Sequence, residues 1–485
     1  MSLLDRTRDL LARTADRLEG TPREAIARNA LERLDAPLRV AIAGRVKAGK
    51  STLLNALVGE RLAPTDAGEC TKIVTWYRDG ITYRVTLLTD EGPVHARFTR
   101  DDGAIEVDLG GRGAEDVEAI DIEWPTATLR ELTLIDTPGI ASISTDVSDR
   151  THDFLAPGEE QPTEADAVLY LLRHVHAADL RFLEAFHDDE VAQATPVNAI
   201  GILSRADEVG VGRLDSMASA RRIAARYRTD PKLRKLCQTV VPVAGLLGQA
   251  GSTLTEDEFR ALGRIAALPE ERADALMLSV DRFVAEDPDL DLLAVEREHL
   301  LDRLGLFGVR LATVLIRRGE VETSGELARR LVAESGLDDL RSVLATQFAD
   351  RSGALKARSG LLVLDALLRD TDGDLADLEA EVESLQASAH EFAELRLLNL
   401  LRTGAVSLRA ADQAEAERIL GAGGGDLAGR LGVEPEAGDD ALRAAVADAV
   451  GKWQRRAENP MADREQTEAA RVVVRTLEGL AASIG

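Results

Sequence analysis

The sequence predicts an α/β domain of the P-loop kind, a mixed and extended sheet flanked by helices, joined to an elongated all-α helical bundle. The N-terminal helices and the C-terminal third would form that bundle. Three observations carry this expectation. Residues 44 to 52 read G-R-V-K-A-G-K-S-T, a complete G-x-x-x-x-G-K-[ST] loop. Apolar, β-branched runs of strand length recur through the first half of the chain. Beyond about residue 255 nearly everything reads as helix, in a composition rich in Ala, Leu, Glu and Arg with only 3% aromatics. At 485 residues the chain is long enough for more than one domain. The expected divisions are 1–35, 36–320 and 321–485.

In order, Leu4, Leu11 and Leu18 repeat every seven residues beside Leu3 and Leu10, predicting an amphipathic helix over 2–19. Gly20 stops it, and Thr21-Pro22-Arg23-Glu24 starts a second helix with Thr21 as N-cap and Glu24 closing a capping box. Both need an apolar partner, found most economically in the C-terminal helices. Leu38 to Ala43 is a buried strand, and Leu53, Leu54, Leu57 and Val58 repeat at helical spacing after the loop. Strand, loop and helix are the context in which backbone N–H groups of Gly44, Arg45, Val46, Lys47, Ala48, Gly49, Lys50, Ser51 and Thr52 converge on phosphate oxygens. Lys50 then reaches the β- and γ-phosphates and Ser51 offers its hydroxyl to Mg²⁺.

Residues 62 to 72 form a loop of turn formers in which Thr71 can bring a hydroxyl to Mg²⁺ and the γ-phosphate. Strands are expected at 73–78, 81–89, 94–98 and 118–124, separating Ser51 from Asp136 by 85 residues and widening the sheet. Leu132 to Ile135 is an apolar strand followed by Asp136-Thr137-Pro138-Gly139. An Asp there holds Mg²⁺ through a water, and Gly139 lets its N–H swing onto the γ-phosphate. Residues 140 to 163 read as a second switch loop. Ala167 to Leu172, Val197 to Leu203 and Val240 to Val243 are further strands, with a helix over 178–187.

The strand at 197–203 ends in Ser204-Arg205-Ala206-Asp207. One carboxylate at this edge accepts from both N1–H and the exocyclic amine of guanine, a pattern that adenine lacks, so Asp207 is expected to read the base. Arg205 can lay its planar guanidinium on it. Ala244-Gly245, after the last strand, would border the base. Adenine remains the alternative, because Ser204 and Arg205 depart from the usual [Asn/Thr]-Lys-x-Asp.

In the helical part, Leu337, Leu340, Leu344, Phe348 and Leu355 share one face, and Leu375, Leu378, Val382, Leu385, Ala389 and Phe392 step at three and four. Val473, Leu477 and Leu480 close the chain. These helices, with the N-terminal one, would bury their seams as a single bundle. Asp370-Thr371-Asp372-Gly373-Asp374 with Glu381 imitates a calcium loop, but Leu375 stands where the sharp turn needs Gly, so acids at a helix start are the reading. Trp453, among cations, reads first as an indole packed on the bundle and second as an interfacial anchor. His174 and His176 read as strand-end residues. Arg221, Arg222, Arg226, Arg228, Lys232, Arg234 and Lys235 read first as a solvated basic face and second as a contact with an acidic partner.

The net charge of −26 opposes nonspecific binding to nucleic acid. Two cysteines, Cys70 and Cys237, provide no disulfide framework and suit a reducing cytosol. The first residues lack the apolar core of a signal peptide, and no apolar run spans a bilayer.

With the P-loop, Thr71, D-T-P-G and S-R-A-D in hand, the chain resembles the bacterial dynamin-like GTPases, of the actinobacterial kind found with isoniazid-inducible proteins. The run Lys50-Ser51-Thr52-Leu53-Leu54-Asn55-Ala56-Leu57 and Cys70-Thr71 are its more specific residues. The resemblance implies a GTPase domain using GTP/GDP and Mg²⁺, flanked by helices folded into a neck bundle. It also implies self-association through paired GTPase domains, a second dynamin-like chain as partner, and peripheral contact at the inner face of the cell membrane from a cytoplasmic protein. Eukaryotic dynamins place a Gln and a Ser where this chain has Val46 and Lys47, and Ile140 follows D-T-P-G, so no side chain is an evident water positioner. The catalytic assignment therefore rests on Lys50, Thr71, Gly139 and Lys47, the last either a charge-neutralising finger in its own or a paired domain or a solvated lysine, with slow basal hydrolysis accelerated by self-assembly. Once one bundle is built, little sequence is left for a second helical trunk. Asp370 to Glu394 holds nine carboxylates and no Lys or Arg, which disfavours contact with anionic lipid. The rival reading is a GTP-regulated scaffold for a longer dynamin-like protein without membrane contact of its own.

Overall fold

The computed structural model describes residues 2–45, 47–63, 73–101, 104–138, 165–173, 198–210, 212–234, 236–287, 290–349, 351–368, 375–403, 406–422 and 426–484. Residues with no preference for water on either face build the central strands β1 (Leu38–Gly44), β8 (Leu132–Asp136), β9 (Ala167–Leu172), β10 (Ala199–Ser204) and β11 (Val240–Val243). Their side chains are almost entirely buried, as parallel strands covered on both faces require. The inserted segment adds β2 (Val74–Arg78), β3 (Arg84–Thr89), β4 (Gly92–His95) and β7 (Ala119–Glu123). The resulting nine-stranded sheet runs β11-β10-β9-β1-β8-β2-β7-β3-β4. It is mixed: β1 pairs in parallel with β8 and β9, whereas β2 is antiparallel to β8 and parallel to β7. The strand expected at 94–98 is instead the end of β4 and the start of a separate hairpin, β5 (Phe98–Asp101) with β6 (Ala104–Val107).

The principal helices are α1 (Leu3–Arg17), α2 (Pro22–Asp35), α3 (Lys50–Val58), α4 (Ser216–Thr229), α5 (Gly245–Ser252), α6 (Glu256–Ala266), α7 (Ala294–Arg317), α8 (Ser324–Glu334), α9 (Leu337–Leu344), α10 (Ser352–Leu368), α11 (Ala376–Ser388), α12 (His390–Thr403), α13 (Ala410–Ile419), α14 (Leu427–Leu431), α15 (Asp439–Ala457) and α16 (Arg464–Ser483). One face of the sheet packs on α3, and its core runs on without a break through α1, α2, α9, α10 and α11. The other face packs on α4 to α8. Arg221, Arg222 and Arg226 of α4 are exposed, as a solvated face requires.

Three expectations need correction. The seams do not form one bundle. Leu10, Leu11, Leu361, Leu364, Leu378, Val382 and Leu385 share the core that continues into the sheet, but Val473 and Leu477 belong to a separate core of α12 to α16 with Leu397, Leu401, Ile419, Val446 and Trp453. Helical periodicity shows which face is buried and leaves open which partner covers it. Second, residue 320 marks no break in packing: α8 packs on α5, and Gly251 approaches Val332 so closely that a Cβ would lie 2.8 Å from its Cγ2. Third, the capping box of α2 does not form. Thr21 Oγ1 donates to the Leu18 carbonyl at 2.7 Å, and Glu24 accepts from Gly20 N at 2.8 Å. A box caps α1 instead, between Ser2 and Asp5.

The acidic α11 does not present all its charge to solvent. Glu381 accepts from Arg13 at 2.8 Å and Asp377 from Arg17 at 3.2 Å, both across the contact with α1. The imitation calcium loop at 370–374 and the histidines at 174 and 176 lie outside the described residues, as do 140–163 and the helix expected at 178–187. Among the described residues, no helix is long and apolar enough to cross a membrane.

Candidate nucleotide site

The loop after β1 turns on two left-handed glycines and one left-handed lysine. Gly44 has φ +154°, and a Cβ there would lie 3.0 Å from both Cβ and the carbonyl oxygen of Leu171 on β9, so no larger residue fits. Gly49 has φ +94° and caps α3, while Lys47 takes φ +60° with its side chain exposed. Alternation of hand along such a loop turns successive N–H groups to one side and forms an anion-binding concavity at the helix N-terminus. Lys50 Nζ sits 3.4 Å from the Gly44 carbonyl. Burial lowers its pKa, opposed by the charge of Asp136.

Asp136 ends β8 directly beside β1, with Ile42 as its register partner. Ser51 Oγ donates to its Oδ2 at 2.9 Å, and Oδ1 is buried with no hydrogen-bond partner. Burial raises the pKa of this carboxyl, while the Lys50 charge and the Ser51 hydrogen bond lower it. A hydroxyl and an orphaned carboxylate oxygen at the end of a phosphate-binding loop are the hard oxygen donors that a magnesium site with retained waters uses, so the residues fit the ion. Across the antiparallel pair, Thr75 of β2 is the register partner of Asp136 and lines the same small cavity of about 20 Å³ with Ser51, Tyr77 and Thr137. Sequence reasoning missed Thr75, because its place depends on strand register.

A second cavity, about 110 Å³, is lined by Ala48, Gly49, Thr52 and Leu53 of the loop and α3, Ser204, Arg205, Asp207 and Glu208 after β10, and Val243 and Gly245 after β11. The topology thus brings three distant stretches to the carboxyl edge of one sheet. Asp207 is 7% exposed, and burial pushes its pKa up to about 6 against an opposing bond from its own backbone N–H. Arg205 adopts φ +52°, a conformation rare for a residue with a Cβ, and its guanidinium pairs with Glu208 at 2.8 Å. Ser204 is buried, with its Oγ 3.4 Å from the Leu172 carbonyl. Ala244 does not line the cavity: it is fully buried and its N–H donates to the Ser335 carbonyl at 2.9 Å, leaving Gly245 at the wall. Val46, Thr71 and Gly139 lie outside the described residues.

A further neighbour of Asp207 was invisible in sequence. Helix α7 breaks its regular geometry at Gly305 (φ +64°), where a Cβ would lie 3.7 Å from Asp207 Oδ2. Arg310, one turn on, donates to the Gly212 carbonyl at 2.6 Å and to the Met277 carbonyl at 3.1 Å, tying the loop after Asp207 to the helix. Gly305 reads in sequence as one residue of an apolar helical run.

Comparison with known proteins agrees with this geometry. Residues 40–189 match the model of the dynamin family. The isoniazid-induced protein IniC of Mycobacterium tuberculosis is 39% identical over 491 aligned positions that cover 99% of both chains. A bacterial dynamin-like protein of Nostoc punctiforme is 31% identical over 114 residues, which are 21% of this chain and 16% of that one. A solved structure described as an oligomerised bacterial dynamin pair aligns with 99% of this chain and 79% of its own at 13% identity and a TM-score of 0.30. On the full-length identity and the matched domain, the chain belongs to the bacterial dynamin-like GTPase family, in the group of the isoniazid-induced proteins.

Proposed function

We propose that this chain binds and hydrolyses GTP with Mg²⁺, pairs through its GTPase domains, and couples nucleotide state to movement of its helices in membrane remodelling or maintenance. The single observation that carries the nucleotide part is the cavity in which the phosphate loop, Asp207 and Gly245 meet, with the Ser51–Asp136 pair at the loop's end. Lys50 and the loop N–H groups would hold the phosphates and neutralise charge as it spreads over the transferred group. Mg²⁺ when bound supplies further charge neutralisation, with Ser51 and Asp136 as its protein donors. Thr71 and Gly139 retain their expected parts as switch residues. Lys47, exposed on a left-handed turn, is free to reach a phosphate in its own domain or in a paired one. The cytoplasmic placement and peripheral contact at the membrane belong to the same reading, and the separate core of α12 to α16 supplies a second helical unit for it.

Two assays test the proposal. Magnesium-dependent GTP turnover with no ATP turnover supports the enzyme, and equal competition by ATP in a binding assay overturns the guanine assignment. Flotation with liposomes in the presence and absence of a GTP analogue tests the membrane part. The scaffold for a second dynamin-like chain is the rival reading, favoured by the run of carboxylates from Asp370 to Glu394. Absence of lipid association in every nucleotide state would select it.

A further inference from the structure

The largest of the described cavities lies far from the nucleotide loop in sequence, in the separate core of α12 to α16. It measures about 350 Å³, within the range of small-ligand pockets, and lies among α13, α15 and α16 where α15 turns back into α16. Trp453 lines it. This residue is 0% exposed, yet its indole N–H has no acceptor, a cost a buried donor rarely carries without a function. The Arg456 guanidinium stacks 4.8 Å from the Trp453 ring and bonds to Asp412, which is itself buried. Arg409, whose side chain is 81% exposed at the rim, donates to Asp412 at 2.9 Å.

Charge gives the class of occupant. Three cations, Arg409, Lys452 and Arg456, meet two carboxylates, Asp412 and Glu415, which leaves one positive charge in excess on a protein whose net charge is −26. The remaining wall is mixed: Leu408, Ala462 and Ala470 give it an aliphatic part, and Asn459 and Gln466 a polar one. We propose that this cavity is a binding site for a small organic anion, a carboxylate or phosphate head on a short apolar body. The head would take the indole N–H of Trp453 and the guanidinium N–H groups, and the body would lie along the aliphatic wall and the ring.

The indole ¹H–¹⁵N resonances of the full chain test this, because there are only three tryptophans and W453F assigns the signal. Octanoate, octyl phosphate, inorganic phosphate and vesicles of phosphatidylcholine with or without phosphatidylglycerol are added in separate titrations. The expected result is a saturable shift of the Trp453 signal with octanoate or octyl phosphate, weakened about tenfold in R409Q by loss of one charge-assisted contact. A shift with the free solutes alone identifies a soluble ligand; one with phosphatidylglycerol vesicles alone identifies a lipid headgroup. No shift with any of them up to the order of 10 mM overturns the site. So does a shift of undiminished affinity in R409Q, or a response to inorganic phosphate that octyl phosphate does not improve, since neither needs the cation or the apolar wall.

Discussion

Ser51 Oγ donates to Oδ2 of Asp136 across 2.9 Å, and Oδ1 of the same carboxylate stays buried without a partner. Burial raises the pKa of this carboxyl against the Lys50 charge and the Ser51 hydrogen bond, and a bound cation would favour its ionised form further. Ser51→Ala removes one donor of the pair, and Asp136→Asn replaces the other with a neutral amide. Each is expected to cut magnesium-dependent GTP turnover by at least about 100-fold, the scale of several kcal/mol that a bound metal contributes. Release of a fluorescent GDP analogue at rising Mg²⁺ is the check: in both variants release should cease to depend on the ion. Unchanged magnesium dependence in Ser51→Ala would remove the hydroxyl from the site.

Asp207 carries a pH prediction. Burial raises its pKa from 3.8 to about 6, and on the proposed reading only the ionised form would accept both guanine donors. Guanine nucleotide affinity is therefore expected to fall toward tenfold per pH unit below about 6 and to level off above it. The stability linkage runs the other way. The folded state holds the proton more tightly than the unfolded one, so this group's contribution to stability falls as pH rises between about 4 and 6. Asp207→Asn should abolish the pH step and shift preference from GTP to XTP, whose C2 carbonyl accepts from the new amide. Calorimetric titrations at pH 5 and 7.5 on both proteins decide it, and equal affinities at the two values in the natural chain would refute the titration.

The parts of this site that were legible in the sequence are those set by spacing along one short stretch. Gly44, Gly49, Lys50 and Ser51 take their roles from positions within nine residues, and Asp136 and Asp207 from being last on, or just past, an apolar strand. What could not be read depends on contacts between stretches far apart. Thr75 faces Asp136 through an antiparallel register, and Gly305 reaches Asp207 through a break in a helix whose hydrophobic pattern runs on unbroken. The same reason explains the bundle. Val473 and Val382 have equivalent seams, and only packing assigns them to separate cores.

The joint between sheet and helices centres on Asp166, just ahead of β9. Its carboxylate accepts from the Arg39 backbone N–H of β1 at 2.9 Å and from Ser359 Oγ of α10 at 2.7 Å, with Arg33 of α2 at 3.8 Å. All three elements thus meet on one side chain that is 5% exposed. Asp166→Ala is expected to cost about 2–5 kcal/mol, because it leaves the Ser359 hydroxyl and the Arg39 backbone N–H without this acceptor and removes the negative charge beside Arg33. Ser359→Ala should cost about 1.5–3 kcal/mol, one hydrogen bond to a charged acceptor. Urea unfolding followed by circular dichroism measures both, and a loss below about 1 kcal/mol in Asp166→Ala would show that the joint is held elsewhere.

Gly360 sets how closely α10 lies on the N-terminal helices. A Cβ there would come 2.9 Å from Thr7 Cγ2, 3.2 Å from Leu11 Cδ1 and 3.3 Å from Leu34 Cδ2. Two effects compete in Gly360→Ala: a gain of about 1 kcal/mol in helix propensity and an overpacking cost of about 1–3 kcal/mol. Three neighbours on two helices must yield at once, so the cost should win and the net loss is expected at about 1 kcal/mol. Gly360→Leu should lose considerably more. Gly479 in α16 is the control, exposed and with nothing within 4 Å of its added Cβ. Gly479→Ala meets only the propensity term and should gain about 0.5–1 kcal/mol. Thermal melts of the three variants therefore should move in opposite directions, downward for both Gly360 changes and upward for Gly479→Ala. A rise in Tm for Gly360→Ala would mean that α1 and α2 can withdraw from α10 at no cost.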